Sequence, residues 1–410
     1  MARMRSRVLR QPVMRRFVPA VGVSALGDGM SMVAVAWLAL QIAPPAQKGI
    51  WTALAIAAFA LPATIGAYIF RKPVRGWPGA RLVAADSTLR AAVLGLTAVL
   101  AVTQTLTPLA YVLLLGVSSL LHAWGNAGVY TIVAEALPPE EHLTGNSLVS
   151  SVVQVAFILG PAAAGALMPF TGPGWILGID ALSYAILAGI AWRLPGQTRD
   201  IEVSGGLRVL SGYPQIIAIT MVFFFLYGPV EVALPIHVAQ RADAAVLGLF
   251  WTVFGVGAAL GAFLATHLRN RSLWTVVAAI IVGWGAALLP LGLTGSVVPG
   301  LIGFAAGGVI YGPYISVTTA LLQSMSPPEQ LSQVLAARGA LTIPATALGT
   351  LAGGPAVVAI GAQNTLLLSG LLTIALGLVV ALIRPALRRA RTRTAPQAPD
   401  RSSPFAPDPR

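Results

Sequence analysis

Residues 21–41 read VGVSALGDGMSMVAVAWLALQ, a run long and apolar enough to cross a bilayer that nevertheless carries an aspartate, Asp28, near its middle. A spanning helix needs about 20 predominantly apolar residues. A carboxylate at the bilayer centre costs about 2.5–3.5 kcal/mol on insertion scales. A chain that keeps such a group either hides it among other helices or uses it. The rest of the sequence has the same character: 56% of the 410 residues are hydrophobic and only 10% are charged. Mean hydropathy is +0.80. Soluble domains average about 25% charged residues, so this chain lacks the polar residues to cover a water-facing surface. It reads as an integral membrane protein.

Cysteine is absent, which excludes disulfides, thiolate metal sites and cysteine nucleophiles. The formal charge of +13 would suit nucleic acid in a soluble protein. Here the arginines sit between apolar spans, so they read as topology signals instead, and nucleic acid is not expected. Arg3, Arg5, Arg7, Arg10, Arg15 and Arg16 precede Phe17 like a signal-peptide n-region. The span that follows is too long for a 7–15-residue signal core; it is read as a retained anchor.

Twelve spans are predicted, near 17–41, 50–70, 83–103, 109–132, 147–169, 174–194, 214–236, 245–266, 274–294, 298–322, 336–360 and 364–384. With both termini cytoplasmic, the inside collects 24 of the 26 Lys and Arg, Arg90 and Arg338 among them. Only Lys48 and Arg241 remain outside, as the positive-inside rule requires. The expected organisation is a basic cytoplasmic N-terminus (1–16), a six-helix bundle (17–194) and a cytoplasmic linker (195–213). A second six-helix bundle (214–384) and a basic, Pro-rich disordered tail (385–410) follow. The arginines from Arg384 to Arg393 read as an anchor on anionic lipid.

The two halves echo one another. ALPPEEHLTGNSL (136–148) has a counterpart in SMSPPEQLSQVL (324–335), and a shift of 189 superposes Pro138, Pro139 and Glu140 on Pro327, Pro328 and Glu329. The same shift places Gly160, Gly165 and Gly172 on Gly349, Gly354 and Gly361. A duplicated six-helix unit suits a transporter whose halves rock about a site between them. The fold class is therefore all-α membrane protein, with 12 transmembrane helices in two pseudo-symmetric six-helix bundles.

SALGDGMSMVAVAWLALQ in the first span, AADSTLRAAVLG opening the third, and LTGNSLVSSVVQVAFILGPAAAGAL in the fifth carry a family resemblance. SGGLRVLSGYP before the seventh and AVLGLFWTVFGVGAALGA in the eighth extend it over roughly residues 15–385. In order and spacing these segments resemble the major facilitator superfamily, on its drug and siderophore exporter side. The fifth span resembles the exporters' antiporter motif, G-x-x-x-G-P-x-x-G-G: Gly160, Pro161 and Gly165 match, while Ala156 and Ala164 replace glycines. The loop after the second span, normally G-x-x-x-D-R-x-G-R-R, keeps Gly66, Arg71 and Arg75. Phe70 stands in place of its aspartate and Pro73 in place of its glycine.

The resemblance implies a central cavity lined by spans one, four, seven and ten. Helical spacing puts a polar or aromatic stripe on each. These are Ser24, Asp28 and Ser31; Ser119, His122, Asn126 and Tyr130; Thr220, Phe224, Tyr227 and Glu231; and Tyr311, Tyr314 and Thr318. Span eleven carries a stripe as well, Thr342, Thr346 and Thr350. Asp28 and Glu231 are the proton-coupling candidates, because apolar surroundings favour a carboxyl's neutral form and intramembrane acids read as functional by default. The alternative for each is a carboxyl paired with a hydroxyl or amide for packing alone. Asp180 reads as structural. Asp86 and Arg90, at i,i+4 near the cytoplasm, read as an ion pair of the inner gate together with the loop residues Gly66, Arg71 and Arg75. No His or carboxylate lies at ligand spacing from His122, so no metal site is expected. Phe223, Phe224, Phe225, Tyr227, Tyr311 and Tyr314 are candidates for the wall of an amphipathic substrate's cavity, although the three consecutive Phe cannot share one face; a core or lipid-facing position is the alternative. Gly257-x-x-x-Gly261 and Gly349-x-x-x-Gly353 read as helix contacts.

No nucleotide-binding loop is present, and no enzyme activity or cofactor is expected; the proton gradient is the energy source. The expectation is a secondary exporter of a small amphipathic compound, monomeric, in the bacterial plasma (inner) membrane, with the lipid bilayer as its surroundings. An importer or lipid flippase of the same fold is the alternative, followed by a protein that has lost transport. A membrane enzyme would want acids and histidines gathered at one face, and the 13 acids here are scattered.

Overall fold

The computed structural model describes residues 8–196, 212–268, 271–294 and 296–394. Arg3, Arg5 and Arg7, most of the linker with Arg199 and Arg208, Arg269, and the tail from residue 395 lie outside the described residues. Among the described residues twelve helical spans are long and apolar enough to cross a membrane, formed by fourteen α-helices. The first half comprises α1 (Pro12–Ile42), α2 (Lys48–Ile69), α3 (Gly79–Val102), α4 (Pro108–Ser119), α5 (His122–Ala136), α6 (His142–Thr171) and α7 (Pro173–Ala191). The second comprises α8 (Pro214–Ala239), α9 (Ala244–Leu264), α10 (Leu273–Thr294), α11 (Val297–Tyr311), α12 (Tyr314–Gln323), α13 (Pro328–Ile360) and α14 (Ala362–Thr394).

Local chemistry explains several helix starts. Proline, whose missing N–H costs nothing in a first turn, opens α1, α4, α7, α8 and α13. Thr107 and Asp243 cap α4 and α9 by accepting from the N–H of Ala110 and Val246. Gly172 and Gly361, one repeat apart, close α6 and α13 at φ +78° and +81°, a conformation only glycine adopts without strain. Helix α14 runs on to Thr394, past the expected end at 384; the alanines and arginines there are strong helix formers.

The fourth and tenth spans, expected as single helices, are each broken. Pro313 follows Gly312 between α11 and α12, and it can neither donate to the preceding turn nor avoid its carbonyl. Between α4 and α5, the Ser118 and Ser119 hydroxyls donate to the carbonyls of Leu115 and Gly116, and Ser119 also reaches Ala58 on α2. Such side-chain bonds compete with the helical ladder. Interrupted helices at matching places in two halves expose backbone that only a cavity or a protein interior tolerates.

The halves meet closely through α2 against α13 and α6 against α9. Glycines permit both approaches. A Cβ on Gly49 would lie 2.7 Å from the carbonyl oxygen of Gly354, and one on Gly165 would lie 3.0 Å from that of Ala245. A Cβ on Gly248 would overlap the carbonyl of Pro161 and lie 2.9 Å from the Cα of Gly165. Gly165 and Gly354 are one repeat apart, so two related contacts seal the end of the molecule remote from the termini. Gly248→Val is expected to wedge this end open. In the cysteine-free chain, a single cysteine at Met32, which lines the space between the halves, reports the change. Its labelling by an impermeant maleimide added from the sealed side should rise several-fold over the parent. Unchanged labelling would show that the glycines do not hold this end shut.

Candidate functional site

Three helices bring one cation and three carboxyls together inside the first half, and a fourth adds His122. Arg90 occupies the midpoint of the 24-residue α3, with 1% of its surface exposed. Its Nη1 donates to Asp28 Oδ1 on α1 at 3.0 Å and to the Tyr184 hydroxyl on α7 at 2.8 Å. That hydroxyl in turn donates to Asp28 Oδ1 at 2.7 Å. The guanidinium also stacks between the rings of Phe59 and Tyr184, each centroid 5.1 Å from Cζ. Asp86, one turn before Arg90, stands with Oδ1 3.9 Å from Arg90 Nε and Oδ2 3.5 Å from His122 Nδ1 on α5. Asp180, fully buried on α7, accepts from Ser31 Oγ at 2.5 Å and from Ser183 Oγ at 3.2 Å. Gly27 leaves room for that pair: a Cβ there would press on Asp180 and Ser183.

Three acids around one guanidinium cannot all be matched. Asp28 holds the arginine's closest contact, while Asp86 Oδ1, Arg90 Nε and His122 Nδ1 are buried with no hydrogen-bond partner. These three orphaned atoms adjoin one another, so Arg90 has a second acceptor within reach of a small side-chain rotation. Beside them lies a cavity of about 280 Å³ lined by Ser24, Asp28, Asp86, His122, Asn126 and Tyr184 among others, with Tyr130 at its edge. The Asp28 side chain is 18% exposed, on this cavity.

Several sequence expectations need correction. Asp86 and Arg90 lie inside α3 rather than at its end, and Arg90 bonds Asp28 in addition to facing Asp86 one turn away. Arg90 therefore leaves the set of inside charges. Asp180, read as structural, is fully buried and bonded to Ser31 and Ser183. Ser31 and Ser119 face protein, the first bonded to Asp180 and the second to backbone carbonyls, and both are fully buried. Tyr184 was missed; its position four residues after Asp180 on one helix face was the available signal.

The second half holds a different environment. Glu231 on α8 accepts from Thr350 Oγ1 on α13 at 2.9 Å, the hydroxyl pairing that was its packing alternative. Between the halves lies a cavity of about 340 Å³, lined by Phe157 and Pro161 from α6 and by Tyr227, Trp251, Phe254 and Tyr311. Phe157 also borders the first cavity, so the two share a wall residue. Phe254 packs 5.4 Å from Trp284 and 5.7 Å from Tyr311, centroid to centroid, and Tyr311 stacks on Tyr314 at 5.7 Å. Tyr314 is 2% exposed and Phe224 packs against it, so both back this wall from the core. Trp251 and Phe254, unmarked in the sequence, contribute more of the lining than Phe224. Gly160 lets α6 touch α1 at Gly29. Gly66 packs under the Leu120 carbonyl at the break of the fourth span, and Arg71 lies over the Tyr68 ring in solvent.

The sequence profile of the Major Facilitator Superfamily matches residues 17–298 and 216–407. The chain belongs to the Major Facilitator Superfamily. It is thus a transporter and not an enzyme, and a multi-pass protein of the bacterial plasma membrane. Among its superfamily relatives is the multidrug efflux pump Tap of Mycobacterium tuberculosis, 28% identical over 417 aligned positions that cover 92% of this chain and 94% of Tap. The uncharacterized MFS-type transporter y4rN of Sinorhizobium fredii is 27% identical, but the match covers 53% of this chain and 58% of y4rN. Solved superfamily structures share the fold. The nucleoside transporter NupG superposes with a TM-score of 0.71 at 14% identity, covering 90% of this chain and 98% of NupG. A bacterial homologue of the lysosomal transporter Spinster, in an inward-facing and unoccupied conformation, gives 0.68 at 12% identity, covering 93% and 98%.

Proposed function

We propose that this superfamily member is a proton-coupled exporter of a small amphipathic compound working by alternating access. The observation that carries the reading is the Asp28–Arg90–Tyr184 triangle on the edge of a cavity. Asp28 in its charged form locks α1 to α3 and α7. A proton arriving through the cavity neutralises it and weakens that lock, and Arg90 then turns its charge to Asp86, whose Oδ1 is otherwise unpartnered. The tie between α1 and α3 thus depends on whether a proton is bound, which is what coupling requires: the carried ion must discriminate between two conformations. The aromatic cavity between the halves, with Tyr hydroxyls and Gln154 as its polar groups, suits a cargo that is largely apolar with a few hydrogen-bonding groups.

Export rather than import is favoured by the resemblance to Tap over nearly the whole chain. With the termini cytoplasmic, the glycine-sealed end is the outer one, so the cargo would enter from the cytoplasm or inner leaflet. Everted membrane vesicles test the reading. With an imposed proton gradient, acid inside, vesicles carrying the protein are expected to accumulate an amphipathic dye such as ethidium, and to release it when the gradient is collapsed. Accumulation that is indifferent to the gradient would rule out proton coupling. Failure with a panel of amphipathic compounds would rule out the cargo class.

A further inference from the structure

The loop between α2 and α3 departs from the superfamily pattern by placing Phe70 where an aspartate is expected, and the structure shows what Phe70 does there. It forms one wall of an apolar cavity of about 250 Å³ with Val74, Trp77, Leu82, Ala85 and Trp124. Every lining side chain is apolar or an indole. Trp124 is held in place by its Nε1, which donates to the carbonyl of Gly66 at 3.2 Å. Arg71 and Lys72 directly follow the lining residue Phe70 in the chain, Arg81 directly precedes Leu82, and all three are exposed. Among the described residues none of these three pairs with a carboxylate. Arg71 lies 4.5 Å over the Tyr68 ring and Arg81 lies 4.3 Å over Trp77, and both residues are exposed. The nearby acid Glu135 accepts from the backbone N–H of Gly79.

We infer that this loop is a binding site for an anionic phospholipid, one acyl chain seated in the Phe70–Trp77–Trp124 pocket and the phosphodiester held by Arg71, Lys72 and Arg81. The chemistry of the two parts points to one occupant. A free anion would satisfy the three cations and leave the hydrocarbon pocket wet, while a neutral lipid would fill the pocket and leave the cations unmatched. Guanidinium groups recognise phosphate through paired N–H donors. The site lies at the ends of α2 and α3, where Trp and Tyr settle at the level of lipid headgroups and basic pockets between helices recognise anionic ones. Phe70 adds no negative charge beside the cations and supplies the pocket wall.

Native mass spectrometry of the purified full chain, titrated with dioleoylphosphatidylglycerol or dioleoylphosphatidylcholine, reads the site without any transport assay, so its outcome is independent of the exporter proposal. The wild type is expected to retain the anionic lipid several-fold better than the zwitterionic one. The combined change Arg71→Gln, Lys72→Gln and Arg81→Gln is expected to erase that preference, and Ala85→Trp, which fills the pocket, to remove the bound lipid. In a second measurement, phosphatidylglycerol brominated on its acyl chains should quench tryptophan emission of the wild type more than that of a Trp77→Phe, Trp124→Phe variant. No preference for the anionic lipid, a preference that survives the triple change, or equal quenching of wild type and variant would overturn the inference. Displacement of the lipid by inorganic phosphate would do the same, since it would reveal an anion site that does not use the pocket.

Discussion

Asp28→Asn is expected to give a protein that inserts and melts like the wild type yet no longer moves substrate against a gradient. Asparagine keeps the shape of aspartate, and its carbonyl oxygen still accepts from Tyr184 and from Arg90, so the contacts at 2.7 and 3.0 Å survive in neutral form. Arg90 keeps a charged partner in Asp86. What disappears is a side chain that can gain and lose a proton and, under the proposed coupling, the link between the proton gradient and the α1–α3 tie. Gradient-driven accumulation in everted vesicles should fall to the background of empty membranes, while downhill equilibration of the same compound persists. If the variant still accumulates substrate at the wild-type rate over a range of external pH, the proton carrier is elsewhere, and Glu231 becomes the position to change next.

Arg90→Met is expected to have the larger effect on the fold itself. Removing one partner of a buried ion pair typically costs about 3–5 kcal/mol, because the remaining charge is left without compensation. Here the loss is shared by Asp28, Asp86 and the buried Asp180, whose common cation vanishes. A much lower yield of folded protein and a melting temperature well below that of the wild type should follow. Arg90→Lys is not expected to rescue it, since an ammonium lacks the flat face that lies over Phe59 and Tyr184 and cannot face Asp28 through one nitrogen and Asp86 through another. Combining Arg90→Met with Asp28→Asn should recover part of the loss, because a buried pair replaced on both sides is often close to neutral. Thermal melting of the four variants in detergent checks this order. A single Arg90→Met variant as stable as the wild type would mean that the cluster is wet enough to neutralise itself.

Much of this was legible before any coordinates. Twelve runs of apolar residues cannot be packed in water, and the backbone in lipid must satisfy its own hydrogen bonds, so helices at those places are nearly forced. The repeat of 189 residues was legible too, and Gly165, Gly172, Gly354 and Gly361 recur in the structure as paired contacts and paired helix ends. The broken spans were half legible: Gly312-Pro313 is a strong stop signal, but the break after Ser119 depends on a hydroxyl reaching Ala58 of another helix. Arg90 shows where reading along the chain misleads. Its nearest acid by helical spacing is Asp86, and the pairing found is with Asp28, 62 positions away.

The sequence by itself determined that this chain lives in a membrane, how many times it crosses, and that an acid in its first span must be accounted for, because each of these follows from the cost of polar groups in hydrocarbon, which acts residue by residue. Only the tertiary structure decided which cation answers that acid, which serines are sealed away, and which aromatic rings frame open space. Those outcomes depend on how helices distant in the chain rotate against one another, and a turn of one helix by a single residue would have chosen different partners.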